Sequence, residues 1–211
     1  MPDKLTFYTN PMSRGRIARW MLEEVAQPYE TVVLGYGTSM KAPEYLAINP
    51  MGKVPAIKHG NAVVTEGAAI CAYLADVFPQ ADLAPKTNEE RARYYRWMFF
   101  AAGPVEAAAN AKAMGWDAPA EKQATLGFGS MAHVLDALEF ALQDTPYIAG
   151  DRFTAADVYF GSHIMWGTQF GTLEKRPAFE AYMGRLHTRP AAGRAREIDD
   201  ALIQQQQQQQ S

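Results

Sequence analysis

The sequence LTFYTNPMSRGRIARWMLEEVAQPYETVVL, residues 5–34, decides the fold of this chain. Residues 5–9 form a short aromatic run, and the Asn-Pro pair that follows predicts a strand ending in a turn. Apolar residues then recur at helical spacing from Ile17 to Val25, and a Gln-Pro pair ends that run. Residues 29–34 are again rich in β-forming side chains. This order predicts a βαβ unit with two parallel strands.

The next segment extends the same domain. Residues 54–58 and 62–65 are two short strands around a His-Gly-Asn turn, which predicts a hairpin. A helical pattern then runs from about Gly67 to Phe78. A βαβ unit followed by a ββα unit predicts a thioredoxin-like α/β domain, which we assign to residues 1–82.

The rest of the chain has a helical pattern. Residues 83–88 are interpreted as a linker and residues 89–203 as an all-helical bundle, because strand signals fade and Pro, Gly and Asp separate the periodic segments. The glutamines at 204–210 are low in complexity, so residues 204–211 are predicted to be a disordered polyglutamine tail. The predicted helices span about 89–113, 120–143, 155–170 and 178–188.

Composition and charge exclude several classes of protein. With 48% apolar residues and a net charge of −3, the chain lacks the basic surface that nucleic acid requires. Cys71 is the only cysteine, so no internal disulfide can form, and the histidines show no metal-ligand spacing. No segment has the pattern of a signal peptide or a membrane span. We therefore expect a cytoplasmic protein that binds neither nucleic acid nor membrane.

A thioredoxin-like fold carries its chemistry where the first strand turns into the first helix. A redox enzyme would have a Cys-x-x-Cys pair there, and residues 10–16 contain no cysteine, so dithiol exchange is excluded. Ser13 supplies a hydroxyl beside the N–H groups of a helix N-terminus, which favour a nearby anion. Ser13 is equally suited to be a plain helix cap, so the spacing alone leaves both roles open.

Four segments, in order along the chain, resemble the cytosolic glutathione S-transferase family with a bacterial, serine-type active-site segment. They are Tyr8–Arg16, Asn49–Pro55, Thr65–Ile70 and Phe153–Asp157. The resemblance implies a detoxification enzyme that binds glutathione and activates its thiol for attack on small hydrophobic electrophiles. It also implies a homodimer, glutathione as a cosubstrate, no metal and no tightly bound cofactor.

Within this resemblance, Ser13 is the expected hydrogen-bond donor to the glutathione sulfur, with Tyr8 and Asn10 as alternatives. A free thiol has a pKa of about 8.5, and only the thiolate is a good nucleophile. Lowering that pKa by about two units requires roughly 2.7 kcal/mol of preferential thiolate stabilisation. A hydroxyl donor together with a helix N-terminus supplies energies of that order.

Two further segments are expected to hold the tripeptide. The resemblance implies that Val54 pairs its backbone with the cysteinyl residue of glutathione, presented by a cis bond to Pro55. It also implies that Glu66 pairs with the γ-glutamyl ammonium, while N–H groups at the following helix start receive the carboxylate. The family commonly has serine where this chain has Gly67, so one hydroxyl contact is missing.

The remaining expected site residues are cations and a helix cap. Lys41 and Lys53 lie in loops where the family often places a cation for the glycyl carboxylate. Thr154 and Asp157 have the spacing of a capping box, a structural motif. Replacing Asp157 is therefore expected to cost about 1 kcal/mol of stability and to leave the thiol chemistry intact.

Two other activities remain open from the sequence. One is glutathione-dependent isomerisation or reduction, although the cysteine-containing segment of the isomerase branch is absent. The other is a non-catalytic protein that binds glutathione or hydrophobic ligands, which the glycine at position 67 favours. Large side chains suited to an electrophile pocket, or equally to the core, are Met12, Tyr36, Tyr95, Phe99, Phe100, Met114 and Trp116.

Overall fold

The computed structural model describes residues 3–116 and 118–210, with the side chains of 209 and 210 excepted. The chain forms two compact units, one from Met1–Leu83 together with Arg189–Ser211 and the other from Ala84–Thr188. Met1, Pro2 and Ser211 of the predicted segments lie outside the described residues.

The first unit is built on a four-stranded mixed sheet in the order β2-β1-β3-β4. Strand β1 pairs in parallel with β2 and antiparallel with β3, and β3 forms an antiparallel hairpin with β4. This is the predicted βαβ-ββα thioredoxin-like arrangement. The strands are β1 Leu5–Thr9, β2 Glu30–Val33, β3 Ala56–His59 and β4 Ala62–Thr65.

Helices cover the sheet of the first unit. Helix α1 packs against α3 and α9, and this double contact buries even Arg19 on α1. Phe7 of β1 and Ile57 of β3 are fully buried, which follows from the alternation of apolar residues along each strand. The helices of this unit are α1 Gly15–Val25, α2 Pro43–Leu46, α3 Gly67–Val77 and α9 Pro190–Gln210, with a 3₁₀ turn at Ser39–Lys41.

Helix α9 differs from the predicted organisation of the C-terminal end. Residues 189–203 were predicted to belong to the helical domain and 204–211 to a disordered tail, whereas α9 groups with the first unit and continues through Gln210. Charge pairs explain the grouping, because Arg19 on α1 donates to Asp199 on α9 at 2.7 Å within the buried interface. Glutamine forms helix well, and extending an existing helix carries no nucleation cost.

The second unit is all-helical, as predicted. Its central helix α7 is buried along almost its whole length and packs against α4 and α8. The predicted helix over 89–113 is interrupted at Ala101–Val105 by a π-helical segment containing Pro104, whose missing N–H cannot continue the α-helical pattern. The helices are α4 Asn88–Phe100, α5 Glu106–Ala113, α6 Met131–Ala141, α7 Ala155–Gln169 and α8 Pro177–His187.

The segment before α6 is less helical than its sequence pattern predicts. A helix was predicted from about residue 120, but residues 120–125 form a 3₁₀ helix and α6 begins only at Met131. Gly129, with φ +62°, adopts a left-handed conformation that an α-helix cannot contain. Across residues 3–116 and 118–210, no helix combines the length and the apolar character needed to cross a membrane.

Candidate active site

The turn between β1 and α1 is organised around the hydroxyl of Ser13. This hydroxyl donates to the carbonyl of Asn10 at 2.6 Å and accepts from the N–H of Gly15 at 2.9 Å. The residue that caps α1 is Arg14, which makes no side-chain cap hydrogen bond. Ser13 as a residue is half-buried.

Gly15, a residue that sequence reasoning missed, makes this turn possible. A Cβ atom at position 15 would lie 2.0 Å from the hydroxyl oxygen of Thr9, so only glycine fits. Thr9 is fully buried, and its hydroxyl has no hydrogen-bond partner among the residues the structure describes. The signal in the sequence was a glycine in the first turn of a helix, where helix propensity alone disfavours it.

The two alternatives to Ser13 have structural contacts. The amide of Asn10 is 3% exposed, donates to the carbonyl of Leu34 at 2.8 Å and accepts from the N–H of Met12 at 2.9 Å. Tyr8 packs its ring against Tyr45 at 5.6 Å between centroids. Both side chains therefore contribute to holding the sheet edge and the turn in shape.

The segment that leads into Pro55 is held by two donors. The hydroxyl of Tyr45 and the amide of Asn49 both donate to the carbonyl of Lys53, at 2.5 and 2.8 Å. Burial raises the pKa of Tyr45 to about 12, so this hydroxyl keeps its proton. The Val54–Pro55 peptide bond is cis, and Val54 lies just before β3, whose pairing with β1 begins at Ala56.

The two candidate lysines differ in what they contact. Lys41 donates its ammonium to the carbonyls of Met51 and Gly52 at 2.9 and 3.0 Å, which ties it to the turn before Lys53. Gly52 has φ +56°, and a Cβ there would lie 2.7 Å from a backbone carbonyl oxygen, so the turn is closely packed around it. Lys53 is exposed. Lys41 is thus bonded to its own loop, whereas Lys53 lies on the surface.

The start of α3 is open and strained. Glu66 stands at the cap position with φ 67° and ψ 121°, a conformation that a residue with a side chain rarely adopts. Its exposed side chain makes no cap hydrogen bond, and its carbonyl accepts from Ile70 at 2.9 Å. Gly67, the first residue of the helix, is half-buried. The cap residue of α3 therefore leaves the first N–H groups of the helix without a bond from its own side chain.

The start of α7 is closed by a capping box of Thr154 and Asp157. One carboxylate oxygen of Asp157 accepts from the N–H and the hydroxyl of Thr154 at 2.8 and 3.0 Å. The other accepts from the N–H of Ile148 and the hydroxyl of Tyr182, both at 2.8 Å. Burial raises the pKa of Asp157 even though these hydrogen bonds oppose the shift. The carboxylate thus joins three segments of the second unit.

Other chemistry finds no support in the described part of the chain. Cys71 is fully buried in α3, and burial raises the pKa of its thiol, so it is not a nucleophile at neutral pH. Residues 3–116 and 118–210 hold no cluster of three or more potential metal ligands.

The candidates for an electrophile pocket fall into small local groups. Tyr36 donates its hydroxyl to the carbonyl of Met12 at 3.2 Å, and both side chains are exposed beside the Ser13 turn. The rings of Tyr95 and Phe99 on α4 are tilted against each other, with their centroids 6.3 Å apart, and both side chains are exposed. Met114 and Trp116 are also exposed, and Phe100 is half-buried.

Comparisons with known proteins agree with this architecture. The N-terminal domain model of the glutathione S-transferases matches residues 12–77, and the C-terminal domain model matches residues 74–190. The chain is 32% identical over 162 residues to glutathione S-transferase GstA of Escherichia coli O157:H7, which covers 75% of this chain and 77% of that protein.

Solved structures give the same result. A glutathione transferase from Methylococcus capsulatus superposes with a TM-score of 0.75 at 27% identity, covering 93% of this chain and 99% of that one. A theta class glutathione S-transferase from Xanthomonas axonopodis pv. citri, with glutathione bound, has a TM-score of 0.72 at 28% identity and covers 92% and 97%. With both domain models matched in order, this chain belongs to the glutathione S-transferase family.

Proposed function

We propose that this glutathione S-transferase binds the glutathione thiol at the start of α1 and activates it through Ser13 for attack on small electrophiles. One observation carries the proposal: the hydroxyl of the half-buried Ser13 lies at the N-terminus of α1 and bonds its first N–H, while the cap residue Arg14 makes no side-chain cap bond. The theta class relative described above holds glutathione. We infer the same ligand for this chain, as a cosubstrate.

The hydrogen bonds of Ser13 suit it to stabilise a thiolate. A hydroxyl has one proton, which Ser13 directs to the carbonyl of Asn10. An anionic sulfur is a stronger acceptor than a neutral carbonyl, so the hydroxyl is expected to turn toward it. The N–H of Gly15 continues to donate to the Ser13 oxygen, which polarises the hydroxyl and strengthens its donation.

The rest of the tripeptide fits the neighbouring elements of the first unit. Val54, next to the end of the β1–β3 pairing, offers backbone groups to the cysteinyl residue. Glu66 offers a carboxylate to the γ-glutamyl ammonium, and the N–H groups that follow it at the start of α3 suit the γ-glutamyl carboxylate. Lys53 supplies a cation for the glycyl carboxylate, with Lys41 holding the turn before it.

The proposed reaction is nucleophilic substitution or addition by sulfur. With an aryl halide, the thiol proton passes to water and the thiolate forms a bond to the ring carbon. The carbon–halogen bond then breaks, and halide leaves with the electron pair. Stabilisation of the thiolate by the Ser13 hydroxyl and the α1 N-terminus raises the fraction of reactive sulfur at neutral pH.

The test is the pKa of the bound thiol, followed by the ultraviolet absorbance of the thiolate as pH is varied. Ser13→Ala is expected to raise this pKa by about one to two units and to lower kcat/KM roughly tenfold to a hundredfold. At a pH below the pKa of the bound thiol, calorimetric affinity for glutathione should change little, because the variant loses its bond mainly to the thiolate form. The matched control is Ser39→Ala. The hydroxyl of Ser39 accepts from the backbone N–H of Gly35 at 2.8 Å in another turn.

The same experiment separates the competing donors and the competing functions. An unchanged thiol pKa in Ser13→Ala, with a raised pKa in Tyr8→Phe or Asn10→Ala, would transfer the role to that residue. Glutathione binding without turnover on aryl halides would favour the non-catalytic protein. Isomerisation or reduction in place of conjugation would favour the other enzyme activity.

A further inference from the structure

Arg16, in the first turn of α1, contacts both the turn that carries Ser13 and the C-terminal helix. One terminal nitrogen of its guanidinium donates to the carbonyl of Pro11 at 3.4 Å. The other donates to the carboxylate of Asp200 on α9 at 2.5 Å. Its side chain is 26% exposed and that of Asp200 is 50% exposed, so the pair lies at the surface of the first unit.

Further ion pairs join the same two helices along their length. Arg19, one turn after Arg16, donates to Asp199 at 2.7 Å, and both side chains are 1% exposed. Toward the other end of α1, Arg194 of α9 donates to Glu23 at 3.1 Å. Arg189, just before α9, binds the carboxylate of Glu24 with two nitrogens. Of these pairs, only the one between Arg16 and Asp200 also reaches the β1–α1 turn.

We propose that Asp200 is a positioning residue for the thiol site, acting through Arg16 on the turn that holds Ser13. This rests on the proposed role of Ser13. Asp200 fixes the guanidinium so that its other nitrogen can hold the carbonyl of Pro11, two residues before Ser13. The middle of α9, at Asp200, thereby becomes part of the active site without touching the substrate.

The geometry separates this role from simple stabilisation. Exposed ion pairs contribute little to stability, and α1 and α9 remain joined by the buried Arg19–Asp199 pair when Asp200 is changed. Loss of the carboxylate leaves Arg16 free to move away from the Pro11 carbonyl, so the orientation of the turn is less well defined. Small errors in the position of a reacting group reduce rates steeply.

The experiment compares Asp200→Asn with Arg194→Gln, which breaks an ion pair between the same helices far from the turn. Asp200→Asn is expected to raise the pKa of bound glutathione by about half a unit and to lower kcat/KM threefold to tenfold. The urea midpoint should match that of the wild type. Asp200→Glu should restore the thiol pKa, and Arg194→Gln should leave it unchanged.

A double variant adds a second readout. Arg16→Gln combined with Asp200→Asn should raise the thiol pKa no more than the larger single change, because both residues act through one contact. A wild-type thiol pKa in Asp200→Asn, alongside a raised one in Ser13→Ala, overturns this inference and leaves the proposed function standing. Equal shifts in Asp200→Asn and Arg194→Gln also overturn it, since they indicate general loosening of α9. If Ser13→Ala shifts nothing, the proposed function fails as well.

Discussion

The starts of α7 and α1 use similar groups for different purposes. Each places a hydroxyl next to the N-terminus of a helix, where backbone N–H groups favour negative charge. At α7, Thr154 and Asp157 close the end, and the carboxylate is fully buried with its donors around it. At α1, the cap residue contributes no side-chain hydrogen bond and Ser13 is only half-buried.

The difference shows that the N-terminus of a helix can be bonded by side chains of the protein, as at α7, or can serve a ligand, as we propose for α1. At α7, the side chain of Thr154 accepts from the N–H of Asp157, and the Asp157 carboxylate accepts from the N–H of Thr154, so side chains of the protein itself occupy this terminus. The start of α3 resembles α1, because its cap residue Glu66 makes no side-chain cap bond either. Glu66 is also held at φ 67°, a strain that functional sites often contain. Both helices whose cap residues make no side-chain cap bond here, α1 and α3, lie in the first unit.

The largest effect that tests this comparison is expected at Asp157. Asp157→Ala removes the acceptor of Ile148, Thr154 and Tyr182 at once and leaves buried donors unpaired. Hydrogen bonds to a buried charged group contribute more than a cap alone, so unfolding free energy should fall by about 3 kcal/mol or more. Urea denaturation measures the loss, and the thiol pKa of the folded fraction should not change.

Tyr182→Phe is the graded control for this prediction. It removes a single donor to the carboxylate and keeps the ring, so the loss should be about 1 kcal/mol. If Asp157→Ala costs no more than Tyr182→Phe, the closed terminus of α7 is a simple cap and not a junction of three segments. A stable Asp157 variant with an altered thiol pKa would contradict the division between structural and functional termini.

The contrast also explains how far the sequence predicts this protein. The sheet and most helices follow from local periodicity, and the Thr154–Asp157 box follows from a spacing of three residues. The other partners of Asp157 do not, because Tyr182 lies 25 positions away and only the packing of α8 brings it close. The same reason hides the pair of Arg16 and Asp200, which are 184 positions apart.

Other features that the sequence does not predict depend on contacts made by single residues. The glutamine run has the composition of a disordered tail, yet it follows a helix that is already anchored to α1 by Arg19 and Asp199. Lys41 and Lys53 were both predicted to be cations for the glycyl carboxylate, and the two carbonyls to which Lys41 donates are a contact that the sequence does not report. Composition and spacing do not report such contacts, since they depend on where the backbone turns.

A second prediction addresses the open terminus of α3. Glu66→Gly removes the penalty of a positive φ, so stability should stay level or rise by up to about 1 kcal/mol. It also removes the carboxylate proposed for the γ-glutamyl ammonium, and calorimetry should show glutathione affinity falling about tenfold. Glu66→Gln is the control that keeps the strain and the size but not the charge. Unchanged affinity in both variants would remove Glu66 from the site.

The smallest expected effect comes from restoring a missing hydroxyl at the same terminus. Gly67→Ser adds a donor to the first residue of α3, which is half-buried and open to a ligand. If the γ-glutamyl carboxylate binds there, one added hydrogen bond worth about 0.5–1 kcal/mol should tighten glutathione binding roughly twofold to fivefold. Gly67→Ala is the control, because it adds the Cβ and restricts the backbone as serine does but adds no hydroxyl. Equal affinities in the serine and alanine variants would mean that the γ-glutamyl carboxylate of glutathione lies elsewhere. The start of α3 would then not bind an anion of the ligand, unlike the start of α1.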